Sequence, residues 1–335
     1  LREGLQDVPM SRTNFTWGIP MPGDEKHVIY VWIDALMNYI TAVGLGEPAS
    51  ERHQQRAAYW PAQYHVIGKE ILWFHSVIWP AMLMALELPL PECVYAHSFW
   101  ISEGQKMSKS LGNFIDLEAI DAYLDAYGLD AWRYFLTTNG PMGATDADFA
   151  AHHFHEVYST DLVNTVGNCA SRVTTMINKY FDGAVPECPD DAPEMDRYDW
   201  PTTALDSAEK WRSAMDRLEI GPATAAAVAL VRQVDGYINA TEPFKLAKDE
   251  SRREELGAIL YRCIEAVRIA SLMLWPVMPD KMQELWQALA LEIDPTAGEL
   301  DRLMQWGGTK PGSTVRKVAL FPRREEALEP PVMKA

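Results

Sequence analysis

The chain has 335 residues, 48% hydrophobic and 23% charged, enough to bury a substantial core and to build two or three domains. Its formal charge of -17, from 47 acidic and 30 basic residues, excludes indiscriminate coating of nucleic acid, which needs a basic field. Any RNA contact must be local and shape-dependent. No run reaches about 18 apolar residues, and the start, Leu1-Arg2-Glu3-Gly4, has neither a signal-peptide core nor an initiator Met. A cytoplasmic protein with no membrane partner is expected, and the chain reads as a fragment. Cys93, Cys169, Cys188 and Cys263 are far apart with no CxxC pairing, so buried free thiols and no zinc site are predicted.

In chain order, the first third alternates strand-like and helix-like runs. VIYVWI (28–33), YHVI (64–67) and VYAH (94–97) are short and rich in β-branched and aromatic residues, with helical patterns between them. Parallel α/β layering is expected. Residues 70–86 are apolar almost all round and contain Pro80, which predicts a buried helix that kinks or restarts there. After a small basic loop, QKMSKSLGN (105–113), Asp116 is a plausible N-cap, Leu117, Ile120, Leu124 and Tyr127 fall at helical spacing, and Gly128 would stop the turn. From about Phe149 the strand signal disappears. Amphipathic stretches at 149–181, 203–216, 222–240, 252–275 and 281–291 predict an all-α bundle. Residues 182–201, rich in Pro and Asp, read as an exposed loop within it, and 307–321 as turn-rich with one strand-like run, VRKVALF, before a frayed end.

Two ammonium groups on a glycine-containing loop beside a strand can neutralise a leaving pyrophosphate in an in-line displacement. Two lysines alone would be a solvated turn. The full string Lys106-Met107-Ser108-Lys109-Ser110, followed by Leu-Gly-Asn, resembles the KMSKS signature of class I aminoacyl-tRNA synthetases. WGIPMP (17–22), VWIDALMNYI (31–40), HVIGKEILWFHSVIWPAMLMAL (65–86) and LFPR (320–323) are similar, over essentially the whole chain, to the methionyl-tRNA synthetases.

The resemblance implies an α/β fold, the second half of a Rossmann-type parallel sheet, followed by an all-α helical bundle. The implied divisions are 1–100 for the back half of the catalytic domain, 101–148 for the lysine loop and stem-contact region, 149–306 for the anticodon-binding bundle, and 307–335 for an extension that packs back. It further implies ATP with magnesium as substrate, methionine and tRNA(Met) as partners, and catalytic Lys106 and Lys109 on the ATP phosphates with Ser108 shaping the loop. Glu70, His97 and Trp100 would lie on the nucleotide. The methionine pocket would be Trp32, Ala35, Tyr39, Ile71, His75 and Ile78, with Arg12 at the amino-acid end. Aromatic faces, a Tyr hydroxyl and a His nitrogen suit a thioether, although Trp32, Tyr39 and His75 taken singly read as core residues.

Asn164, Asn168 and Arg172 recur every four residues, each about 40° further round one helix face, while Leu162, Val166, Cys169, Val173 and Met176 form a core stripe. Amides and a guanidinium suit splayed bases; a solvated polar face is the plain alternative. The resemblance assigns Asn168 and Arg172 to the CAU anticodon, with Pro243 and Phe244 beside them. Phe244 stands where the family has Trp, which keeps a stacking face and loses the indole N–H.

The His-Ile-Gly-His string of such enzymes is absent from these residues. The expectation is a methionine–tRNA ligase whose N-terminal catalytic half is missing here and which activates methionine poorly alone. Competing expectations are another class I synthetase, or a tRNA-binding protein without catalysis.

Overall fold

The computed structural model describes residues 4, 8–102, 104–107, 113–189 and 198–328. They divide into two compact units, Leu1–Phe99 and Trp100–Ala335.

In the first unit, β1 (Ser11–Arg12), β2 (Pro20–Met21) and β3 (Asp24–Ile29) form an antiparallel sheet in the order β1-β3-β2. The 28–33 run therefore does not join a parallel sheet as expected. It splits after Ile29, and Val31 opens helix α1 (Val31–Ala42). Burial of Leu36 and Ile40, four residues apart, against Trp79 and Leu83 outweighs the β-preference of Val31, Trp32 and Ile33. Helix α2 (Glu51–Arg56) follows, capped by the Ser50 hydroxyl on the His53 N–H.

The two other expected strands are present. β4 (Tyr64–Gly68) and β5 (Cys93–His97) pair in parallel from Tyr64 opposite Cys93 to Gly68 opposite His97. Between them the chain is helical from a 3-10 turn at Lys69–Ile71, through a π-turn at Phe74–Ile78, to α3 (Trp79–Ala85). The irregularity expected near Pro80 is this wide turn, since the proline has no N–H to offer the preceding carbonyls. The segment is not buried all round. His75, Trp79 and Leu83 form its inner line, while Leu72, Trp73 and Met84 face outward. Ile67 is 5% exposed and Val66 63%, so only one face of β4 is covered within this unit.

The second unit opens with β6 (Trp100–Ser102), paired antiparallel with β7 (Gln105–Lys106) and parallel with β8 (Ala147–Phe149). Strand structure thus persists to Phe149. Helix α4 (Leu117–Tyr127) begins as expected, with the Asp116 carboxylate accepting the Ala119 N–H at 2.9 Å. Gly128, at φ +86°, ends it and leads straight into α5 (Leu129–Asn139). Next, α6 (Ala151–Val157), a π-segment (Tyr158–Gly167) and α7 (Asn168–Tyr180) form one unbroken helical run. Its inner stripe contains Leu162, Val166, Cys169 and Val173 as expected, then Ile177 in place of the half-buried Met176. Helix α8 (Trp200–Asp216) starts three residues earlier than predicted. The Asp199 carboxylate caps the Thr202 N–H, and Pro201 occupies the first turn, where a proline needs no N–H. Val185, Pro186 and Trp200 are buried, so the ends of the 182–201 segment belong to the core. The chain continues through α9 (Ile220–Thr241), α10 (Pro243–Leu246), α11 (Arg253–Leu274), α12 (Pro279–Ala288) and α13 (Leu300–Leu303). The VRKVALF run makes no ladder. It follows an isolated bridge between Ala184 and Thr314, and Val315, Val318, Leu320 and Phe321 fill the core as single side chains.

Every residue of α11 from Leu256 to Leu274 is buried, including Glu265 and Arg268. Glu265 accepts two hydrogen bonds from the Arg268 guanidinium, at 2.8 and 2.6 Å, and backbone N–H bonds from Gly307, Gly308 and Thr309 at 2.7, 2.8 and 3.0 Å. Arg268 also donates to the carbonyls of Leu303 and Gln305. A Cβ at Gly308 would lie 2.6 Å from the Arg268 Cζ, so only glycine lets the loop come this close. Burial pushes the Glu265 carboxyl up, but Arg268, Thr309 and Gly308 outweigh it and hold the carboxyl below its ordinary 4.5. The stabilisation is present above that value and is lost as the pH falls through the lower folded value. Glu265→Gln is expected to cost about 3–5 kcal/mol in urea unfolding at neutral pH, because it strands a buried guanidinium. The same variant should lose less stability than the native chain when titrated into acid.

Candidate functional site

In the first unit, α1 and the helical stretch after β4 bring the expected methionine-pocket residues onto two facing surfaces. Trp32, Ala35 and Tyr39 lie on α1 at helical spacing, and Ile71, His75 and Ile78 lie on the facing segment. The Tyr39 hydroxyl and His75 Nε2 are 2.8 Å apart, and His75 Nδ1 is 3.0 Å from the Ile71 carbonyl. A carbonyl only accepts, so Nδ1 carries the proton, Nε2 is the lone pair, and Tyr39 donates to it. The tyrosine oxygen keeps its own lone pairs. Trp32 stacks on Phe74 at 4.1 Å with 13° between the planes.

Behind this layer lies a second one that sequence reasoning missed. His65, 5% exposed, sits 4.3 Å from the Tyr39 ring and accepts the Trp79 indole N–H at 3.1 Å. Trp60 approaches both His65 and Trp79. The available signal was the alternation of His65 and Ile67 along β4, which puts both on the covered face. Burial pushes the Tyr39 hydroxyl up; burial, and then the charge His75 would carry, push the His65 imidazole down.

The carboxyl ends of β4 and β5, where parallel sheets meet ligands, carry Glu70 and His97. Glu70 is exposed in the first helical turn, and its carboxylate curls over Gly68, where a Cβ would meet Oε2 at 2.9 Å. His97 Nδ1 donates to the Ser98 carbonyl at 2.8 Å. Arg12, on β1, lies over the Tyr30 ring at 3.8 Å, an aromatic cation pair.

The other candidates belong to the second unit. Trp100 stacks on Phe135 at 6.0 Å and meets Phe149 edge-on, which makes it an anchor of this core. Lys106 lies on β7; its side chain, and all of Ser108 and Lys109, fall outside the described residues. Among the described residues, no group of three His, Cys, Asp or Glu is placed to hold a metal, and no helix is long and apolar enough to cross a membrane. No disulfide joins the four cysteines; Cys169 and Cys263 are buried, and Cys93 and Cys188 are half-buried, less than expected.

Asn168 and Arg172 share one face of α7, with Asn168 exposed. Arg172 reaches across to α9, donating from Nη1 to Asp235 Oδ1 at 2.9 Å and from Nη2 to Asn239 Oδ1 at 3.2 Å. Those two partners, also four residues apart, were missed. Asn164 is engaged by Arg323 at 3.4 Å. Pro243 is buried at the start of α10, and Phe244 beside it is 46% exposed, four residues or more beyond Asn239.

These elements define a class of protein. The chain belongs to the class I tRNA synthetases, since residues 1–174 match the family described as tRNA synthetases class I (M). Its curated relatives are named methionine–tRNA ligases. That of Halalkalibacterium halodurans is 43% identical over 325 residues, covering 96% of this chain and 48% of the relative. That of Streptomyces coelicolor is 42% identical and covers 97% and 60%. The solved structure of Mycobacterium tuberculosis methionyl-tRNA synthetase in complex with methionyl-adenylate superposes with a TM-score of 0.79 at 34% identity, over 96% of this chain and 61% of that one. The chain spans about half the length of the curated relatives it matches.

His65 provides a pH test of the inner layer. Its folded pKa lies below the ordinary 6.5, so the neutral imidazole stabilises the fold above that value and the contribution is lost as the pH falls through the lower folded value. Hydrogen-exchange protection of Tyr64–Gly68, corrected for intrinsic rates, is expected to drop across that window, and His65→Gln should remove the dependence.

Proposed function

We propose that this chain is the methionine-pocket and anticodon portion of a methionine–tRNA ligase acting in the cytoplasm. The carrying observation is the Tyr39–His75 pair, braced by His65 and Trp79, in a chain similar over nearly its whole length to methionine–tRNA ligases. In this reaction the methionine carboxylate attacks the α-phosphorus of ATP, the bond to the bridging oxygen breaks, and pyrophosphate leaves with magnesium. The methionyl group then passes from the adenylate to the terminal adenosine of tRNA(Met).

Trp32, Ala35, Tyr39, Ile71, His75 and Ile78 would enclose the thioether. Because the Tyr39 hydroxyl donates its hydrogen bond to His75 Nε2, its oxygen presents lone pairs and the rings present faces and edges, a lining suited to a polarizable sulfur. Arg12 would serve the amino-acid end of the site. Glu70 and His97, at the carboxyl end of the parallel pair, would lie near the ribose and adenine, with Trp100 a further nucleotide residue. Lys106 and Lys109 would neutralise the departing pyrophosphate, with Ser108 shaping their loop. Asn168 and Arg172, with Pro243 and Phe244, would receive the CAU anticodon. The divisions 1–100, 101–148, 149–306 and 307–335 would carry the catalytic back half, the lysine loop, the anticodon bundle and the returning extension.

The test joins this chain to the N-terminal portion of the Halalkalibacterium halodurans relative and measures methionine-dependent pyrophosphate exchange. Exchange with methionine, falling by about 10²–10³ in kcat on Lys109→Ala as for loss of one transition-state donor, is the expected result. Exchange supported by valine, leucine or cysteine instead would refute the pocket. No exchange at all, with intact tRNA binding, would favour the binding protein without catalysis.

A further inference from the structure

Arg172 is held in an unusual state for a residue that meets RNA. A free guanidinium is both a fork of five N–H donors and a mobile positive charge, and the charge alone draws phosphates regardless of sequence. Here two donors are spent across the helix pair, one on Asp235 at 2.9 Å and one on Asn239 at 3.2 Å. Three N–H donors remain, and the side chain is 33% exposed, against 21% for Asp235 behind it. Burial raises the Asp235 carboxyl above its ordinary value, and the Arg172 guanidinium in direct contact works against that rise.

Two further cations are treated alike. Arg232, one turn earlier on α9, is tied to Asp161 at 2.8 Å, and Lys245, next to Phe244, is tied to Glu242 at 2.7 Å. Arg172, Arg232 and Lys245 are each opposed by a carboxylate, in a chain whose formal charge is already -17.

We propose that Asp235 is a specificity-determining positioning residue: it fixes the plane of Arg172 and cancels its net charge, so that Arg172 offers directed donors to the edge of an unstacked RNA base while losing its attraction for phosphate. This rests on the anticodon assignment above. The cancelled charge costs affinity for RNA in general and gains discrimination, because a base edge rewards donor geometry and a phosphate rewards charge. Asp235 touches no base itself and acts through Arg172.

The experiment uses the 335-residue chain and tRNA transcripts carrying CAU or singly substituted anticodons, with binding followed by fluorescence anisotropy from about 50 to about 200 mM salt. Asp235→Asn keeps an oxygen acceptor and removes the charge. It is expected to bind substituted tRNAs more tightly, to lose about tenfold in discrimination, and to steepen the slope of log affinity against log salt by about 0.7, one more phosphate contact to a single strand. A merely structural role would weaken all binding and leave that slope alone. Asp235→Glu restores the charge and should keep the native slope; a steepened slope in that variant overturns the proposal, and it decides the matter if Asp235→Asn melts. If Arg172→Ala abolishes discrimination while Asp235→Asn changes neither discrimination nor slope, the proposal fails and the anticodon assignment stands. If Arg172→Ala leaves discrimination intact, the anticodon assignment itself fails.

Discussion

Glu265 lies fully buried in the middle of α11, and its carboxylate is saturated by one guanidinium and the N–H groups of three consecutive loop residues. A buried carboxylate without such partners would be prohibitively costly, and a loop without the carboxylate would leave three N–H groups unpaired. Each therefore specifies the other. Helix and loop are locked at one register, and the segment beyond Thr309 leaves from a defined point.

That departure has consequences along the rest of the second unit. The segment places Val315, Val318, Leu320 and Phe321 into the core, where Phe321 lies against Gly167 and the Tyr158 hydroxyl donates to the Pro322 carbonyl at 2.7 Å. The helical run that carries Asn168 and Arg172 is thus held along its length by this segment. Helix α9 packs against α11 and presents Asp235 and Asn239 toward Arg172. A guanidinium can only be pre-aimed when both helices that hold it are fixed, and α11, buried all round, fixes one of them.

Much of this was legible in the residues. Asp116 and Gly128 bounded α4 because a cap and a stop signal act within one turn. The inner stripe at Leu162, Val166, Cys169 and Val173 followed from period alone. The splitting of VIYVWI was not legible, since β-branched and aromatic residues suit either a strand or a buried helix start, and the choice was made by Trp79 and Leu83, some forty residues away. The isolated extended run at Val315–Phe321 was misread for a related reason: an apolar alternating pattern shows that side chains are buried and does not say whether a neighbouring strand exists to pair with.

The sequence by itself determined the family, through a nine-residue basic loop and a set of aromatic and imidazole side chains whose spacing survives as a string. It also determined the two kinds of architecture, because period two and period 3.6 are local properties. The tertiary structure alone decided the partners. That Tyr39 donates to His75, that His65 and Trp79 brace the pair, and that Asp235 stands behind Arg172 are all contacts between residues 14 to 63 positions apart. Such contacts leave no mark in a linear pattern, because hydrogen-bond direction and charge compensation are set by where the elements pack.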